Sequence, residues 1–456
     1  MDRPLMERAY SGLLRRVALP VAEAIQHMPV QRHLAALERS QWWSPSALRA
    51  LQEQKLQALI VHAATRVPFY RDLFAALGLR PEEIRALEDL RRLPILTKEQ
   101  IRAAFPHRMI AEGVPARALL PYSSSGSTGE PFRFVMTREE KAMRWAALFR
   151  FWRWTGWDFG VPYAIIERGA HLAFKDNPVG SLVERYLTRV LPLPAFGVYD
   201  GNLPYYVNRL RRFRPMMIRG YSASIAQIAE YLARQGQTLP LRAALTTGET
   251  LLPEQRDLIA ERFACPVFDG YGGEGMEIAF ECERHAGWHL NAEGVIAEVV
   301  DDEGNPLPPG ELGQLVLTNL NNMAMPFIRY NIQDLAALGD TPCPCGRGLP
   351  LLTRLEGRLV DVLVAPGGRR LVVQFFTRLF RAVEGVEQFQ VVQSGRDLLR
   401  VKLVTTPAFG PEQRAFIERE LRAYVGPEMT VRLEPVDRIP PTPAGKRRFL
   451  IREEGA

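Results

Sequence analysis

The chain has 456 residues, 47% of them hydrophobic and 24% charged, with a formal charge of +7; that length exceeds one ordinary core and predicts two or three globular domains. No run of about 18 apolar residues occurs, so no transmembrane helix is expected, and four cysteines are too few for a secreted disulfide scaffold, which leaves the cytoplasm as the expected location. The basic residues are scattered among acids, and their densest cluster, Arg209–Arg214, sits in an apolar-periodic segment, so it reads as a solvated helix face rather than a nucleic-acid surface.

In chain order, Ser11–Met28 is interrupted by Arg15, Arg16, Glu23 and Gln26 and reads as an amphipathic helix, since a signal peptide needs an unbroken apolar stretch. Residues up to about 100 are helical by pattern: Leu48, Leu51, Leu56, Leu59 and Ile60 recur at helical spacing, and Val67-Pro68 breaks the run. From 118 to 350, short apolar runs alternate with helical segments. Phe134–Met136, Tyr163–Ile166, Met216–Ile218, Leu241–Leu245 and Val267–Phe268 read as strands, mostly parallel, of an α/β fold. Val295–Val300 and Gly313–Thr318 flank a turn at 301–306 and predict an antiparallel section, a small β-barrel. Val360–Val364, Phe389–Val392 and Leu398–Val404, with helices at 371–383 and 411–425, make a compact α+β domain. The expected division is a large mixed α/β domain over 1–356 and a small mobile domain over 357–456.

Several strand ends carry polar or glycine-rich segments. Ser123-Ser124-Ser125-Gly126-Ser127-Thr128-Gly129-Glu130-Pro131 offers inward amides and hydroxyls suited to phosphate oxygens, although no lysine follows its second glycine as a Walker-type loop requires. Thr247-Gly248-Glu249 and Asp269-Gly270-Tyr271-Gly272-Gly273-Glu274 follow short strands, where α/β sheets place ligands. Tyr271 offers a flat face for a purine, and Glu274 a hard oxygen for Mg²⁺. Asp334 follows an apolar strand and suits ribose hydroxyls; Glu356-Gly357-Arg358 and Pro443-Ala444-Gly445-Lys446 come later. Only six lysines occur, at 55, 98, 141, 175, 402 and 446, so a lysine in an informative context carries weight. No nucleophilic triad is indicated.

This order of segments resembles the adenylate-forming superfamily, and within it the phenylacetate–CoA ligase and CapK branch. The likeness runs nearly the whole chain and includes Gln41-Trp42-Trp43-Ser44 and Val67-Pro68-Phe69-Tyr70-Arg71. The resemblance implies that Ser124, Ser125, Gly126, Ser127, Thr128 and Gly129 hold the phosphates of ATP. It places Gly248, Glu249 and Tyr271 about the adenine, Asp269 and Gly272 among the nucleotide-binding residues, Asp334 on the ribose and Arg358 on ribose or phosphate. Lys446 would reach the substrate carboxylate and the α-phosphate. The implied reaction joins a small carboxylic acid to AMP with Mg²⁺ and then transfers the acyl group to coenzyme A; a carrier protein, amine or sugar is the alternative acceptor. A basic protein suits such polyanionic substrates. Two departures stand out. Only Gly273 separates Gly272 from Glu274, so either Glu274 or Glu277 is the Mg²⁺ ligand, and Val360 replaces the first aspartate of the branch's Arg-x-Asp-Asp hinge. The altered spacing keeps a non-catalytic nucleotide-binding protein open as a reading of another class.

Cys282, Cys343 and Cys345, with His285 or His289, supply enough soft ligands for tetrahedral zinc. Some members of the resembled branch carry similar cysteines with a structural zinc, and four protein ligands would close the site to catalysis. The acid pocket is the least legible part: Tyr221-Ser222 could line it, whereas Phe151, Trp152, Trp154 and Trp157 are spaced for core packing.

Overall fold

The computed structural model describes residues 10–124, 132–167, 189–195, 202–358, 363–366, 370–371, 375–376, 379–380, 383–440 and 448–453. It divides into two compact units, Met1–Ile332 with Ala336–Leu355, and Gln333–Leu335 with Glu356–Ala456.

The first unit opens with helices. Pro45–Arg66 is capped by Ser44, whose hydroxyl accepts from Ala47 N, and ends where Pro68 begins the next helix, Pro68–Leu77. The amphipathic segment near the N-terminus is helical and buries Leu14, Leu19 and Ala22, while Leu13, Val17, Val21 and Ile25 face outward. Strands β1 (Leu120–Ser124) and β2 (Phe132–Met136) form an antiparallel hairpin. The next strands are β3 (Tyr163–Glu167), β4 (Val190–Pro194), β5 (Met217–Gly220), β6 (Ala243–Thr247) and β7 (Val267–Gly273). They pair in parallel in the order β7-β6-β5-β3-β4. Strands β8 (Met276–Glu281), β9 (Trp288–Leu290), β10 (Val295–Val300), β11 (Gly313–Asn319), β12 (Tyr330–Leu338) and β13 (Leu351–Arg358) extend this into one sheet of eleven, ordered β10-β11-β12-β13-β9-β8 and then β7.

Parallel strands are buried on both faces, and successive side chains point to opposite sides. Tyr163, Ile165, Met217 and Leu245 pack with Phe149, Phe151, Trp152, Trp154 and Trp157 of and after the helix Arg138–Trp154. Ala164, Ile166, Ile218 and Ala244 pack on the other face against Ile225, Ile228 and Leu232 of Ser222–Arg234 and Ile259 and Phe263 of Pro253–Phe263. The tryptophans at helical spacing are therefore core, as their periodicity predicts.

In the second unit, β14 (Leu363–Val364) pairs with β15 (Arg370–Leu371). Strands β16 (Val386–Ser394), β17 (Leu398–Thr405), β18 (Thr430–Pro435) and β19 (Leu450–Arg452) form a sheet ordered β18-β17-β16-β19, antiparallel only at its centre. The helix Pro411–Val425 buries Ile417, Leu421 and Val425 in this unit's own core. Among the described residues no helix is long and apolar enough to cross a membrane.

Candidate active site

Parallel pairing brings the carboxyl ends of four strands to one edge. Ile166, Gly220, Thr246 and Asp269 stand in register, so Glu167, Tyr221, Thr247 and Gly270 begin the next row. A side chain at Gly220 would run into the Ile166 carbonyl, so glycine is required for this approach. Gly248 turns away from β6 with a φ of 75° and delivers Glu249 to the start of the helix Ser222–Arg234. There the Glu249 carboxylate accepts from Ala223 N at 3.0 Å and from Ser222 Oγ at 3.3 Å, a favourable place for an anion. Glu249, expected about the adenine, thus also anchors the helix at the sheet edge.

Asp269 points into the fold. Thr246 Oγ1 donates to it at 2.6 Å and Trp288 Nε1 at 3.0 Å. Burial, reinforced by the nearby Glu281, pushes its carboxyl up to about 7. Tyr271 is half-buried against the core that holds Phe134 and Ile332. Gly272 pairs with Glu277, and a Cβ there would lie 2.8 Å from the Met276 carbonyl oxygen.

The two candidate Mg²⁺ ligands have different surroundings. Glu274 is buried and lies 3.1 Å from Lys98 Nζ. Glu277 accepts from Arg144 Nε at 2.9 Å. Both line a shallow cleft with Glu140, Asn319, Asn321 and Asn322. At the strand ends, Arg219 of β5 pairs with Glu167 of β3, both nearly out of solvent. Burial raises the Glu167 carboxyl and Arg219 opposes that shift.

Ser124 ends β1 opposite Phe132, the first residue of β2. Ser125, Gly126, Ser127, Thr128, Gly129 and Lys446 lie outside the described residues. Asp334 is buried within β12, after Gln333, whose φ is 67°. Arg358 is the last residue of β13.

A second constellation lies beside β8 and β9. Cys282, His289, Cys343 and Cys345 bring their ligand atoms within 4.8 Å of one another. Cys282 Sγ is 3.6 Å from Cys343 Sγ, and Cys345 Sγ is 3.3 Å from His289 Nε2. Bonds of about 2.3 Å to sulfur and 2.1 Å to nitrogen about one tetrahedral centre give edges of roughly 3.5–3.8 Å, so these separations fit zinc. The sulfurs are too far apart for a disulfide, whose length is about 2.05 Å. Backbone amides of Arg284 and Arg347 donate to Cys282 and Cys345 at 3.4 Å, support suited to thiolates. His285 is not part of the group: its ring lies 3.5 Å from Glu281 Oε2 and packs on Phe268.

Residues 363–453 match the family model of the CapK C-terminal domain. Phenylacetate-coenzyme A ligase of Escherichia coli is 30% identical over 336 residues, 71% of this chain and 74% of that protein. The chain belongs to the phenylacetate–coenzyme A ligase family. The ligase of that name from Thermus thermophilus is 28% identical over 441 residues, 89% of this chain and 96% of its own. The fold is that of 2-hydroxyisobutyryl-CoA ligase, crystallised in the postadenylation state with an acyl-AMP; the TM-score is 0.72 at 21% identity, over 88% of this chain and 89% of the other.

Sequence reasoning passed over three charged features of this ligase-family site: the partner of Glu274, the Arg144–Glu277 pair and the Arg219–Glu167 pair. Each joins residues more than 50 positions apart, beyond the reach of any local motif. Lys98 alone left a trace, as one of so few lysines.

Proposed function

We propose that the chain activates a carboxylic acid with ATP and then transfers the acyl group to coenzyme A. The observation that carries this reading is a family likeness spanning most of the chain, on a fold whose parallel strands bring Glu167, Tyr221, Thr247 and Gly270 into one row, just before Gly248 and Tyr271.

In the first step a carboxylate oxygen attacks the α-phosphorus. The bond to the bridging oxygen breaks and pyrophosphate leaves, giving acyl-AMP. Two anions must meet, so a positive group is needed where charge builds; Lys446 takes that role. The loop 124–129 holds the phosphates, Tyr271 and the Gly248 turn hold the adenine, and Asp334 and Arg358 hold the ribose. Mg²⁺, held by Glu274 or Glu277, would supply neutralisation of the departing pyrophosphate. In the second step the coenzyme A sulfur, giving up its proton, attacks the acyl carbon and AMP departs. Residues 357–456 turn about 358–361 between the steps, taking Lys446 away and admitting the thiol.

Cys282, His289, Cys343 and Cys345 would hold a structural zinc, fastening β9 to the segment before β13. Burial holds the His289 imidazole down to about 4, so near neutral pH it is uncharged and its lone pair is free to ligate.

The likeness to CapK, whose C-terminal domain model matches residues 363–453, keeps open a second reading in which the acceptor is a carrier protein, amine or sugar. Pyrophosphate release across a panel of carboxylic acids, with hydroxylamine as trap and with or without coenzyme A, tests both. Turnover stimulated by coenzyme A supports the ligase; trapping indifferent to it supports another acceptor. Silence across the panel with intact ATP binding overturns the catalytic reading.

A further inference from the structure

Lys98 occupies a position that elementary considerations disfavour. It is the first residue of the helix Lys98–Ala104, begun by a capping box between Thr97 and Gln100. The amide dipoles there repel a cation, and its side chain is only 7% exposed, so the ammonium has also lost most of its water. Its partner is no better placed. Glu274 is 5% exposed and adopts a φ of 45°, a left-handed conformation that strains a side-chain-bearing residue. Gly275 follows at a φ of 80°, where a Cβ would stand 2.6 Å from the Phe134 ring and 2.8 Å from Met136 Cε, so the turn between β7 and β8 is pressed against β2. A buried, wrong-end lysine joined to a strained glutamate is the kind of local inconsistency that folds retain at functional sites.

The pair also stands at a junction. Lys98 Nζ lies 5.2 Å above the Phe132 ring, the first residue after the serine–glycine loop. Phe132 stacks on Tyr330, and Leu96 bridges Tyr330 through hydrogen bonds to Arg329 O and from Asn331 N. One ammonium therefore touches the exit of the phosphate loop and the turn carrying Glu274, and its own segment is pinned to the start of β12.

We propose that Lys98 is a positioning residue of the nucleotide site, fixing the Glu274 carboxylate in the one orientation that MgATP meets. This rests on the reading of the site given above. MgATP binding by the full chain, measured by calorimetry, and pyrophosphate release are compared for wild type, Lys98→Met, Lys98→Arg and Lys98→Met/Glu274→Gln. Lys98→Met should weaken MgATP binding about tenfold or more and leave the KM for the acid within about twofold, a split that general loosening would not produce. Lys98→Arg should recover most of the affinity. The double variant removes both charges, so it should regain the melting temperature lost in Lys98→Met and still bind MgATP weakly. A double variant binding MgATP as wild type does, or an arginine variant as poor as methionine, overturns the proposal. If wild type binds MgATP and releases no pyrophosphate with any acid, the ligase reading fails, and the binding comparison still decides the role of Lys98.

Discussion

His289 Nε2 stands 3.3 Å from Cys345 Sγ, while Nδ1 of the same ring stands 3.2 Å from the Leu349 carbonyl oxygen. The carbonyl can only accept, so Nδ1 carries the proton and Nε2 turns its lone pair toward the three sulfurs. The expected outcome is about one zinc per chain by elemental analysis. His289→Ala should lose the metal and expose Cys343 and Cys345 to alkylation, whereas His285→Ala should retain both metal and protection. Less than half an equivalent in the purified protein, with freely alkylated thiols, would sink the assignment.

Lys446→Ala should abolish acyl-adenylate formation and leave ATP binding nearly unchanged. The side chain is assigned to charge that builds in the transition state, and such a group affects the chemical step more than ground-state binding. Hydroxylamine trapping and ATP calorimetry on one preparation read the two quantities separately. Adenylation that survives the substitution would remove Lys446 from the mechanism.

Arg150 is fully buried and donates to Glu293 at 2.7 Å and to Asn291 at 2.9 Å, with Ser40 Oγ also donating to Glu293 at 2.6 Å. Its guanidinium lies 5.1 Å from the Phe151 ring centroid. Arg150→Met would leave Glu293 charged in the core, at a cost of roughly 3–5 kcal/mol in unfolding free energy. Arg150→Met/Glu293→Gln should recover more than half of that loss in urea melts. An undiminished single variant would show that Glu293 finds water or another cation.

The fold was legible where local chemistry coincided with tertiary placement. Val295–Val300 and the helix 411–425 match their observed bounds, because an apolar strand beside a turn, and a helix opened by Pro411, need no distant information. Strand β7 was harder. Val267–Phe268 reads as its whole extent because Gly270, Gly272 and Gly273 read as a turn, yet the strand continues through them. At Gly270 the reason is steric: a Cβ would stand 2.7 Å from the Phe280 ring. The choice between His285 and His289 depended on which ring the β8–β9 connection folds inward, and the partner of Glu274 lies 176 residues away. Charge pairs that close only in three dimensions leave no periodicity to read.

Asp269→Asn tests the buried carboxyl beside Trp288. Burial, and then the charge of Glu281, raise the Asp269 carboxyl from an ordinary 3.8 to about 7. Between those values the folded protein keeps a proton that the unfolded chain gives up. Its contribution to stability is therefore full below about pH 4 and is lost as pH rises through about 7. Asparagine has nearly the same shape and no proton to release. The variant should gain on wild type as pH rises from 5 to 8, by an amount on the order of a few kcal/mol at most. Urea melts of both proteins at the two pH values measure it. Parallel pH dependence would mean that Asp269 is ionised throughout, with Arg256, Thr246 and Trp288 outweighing its burial.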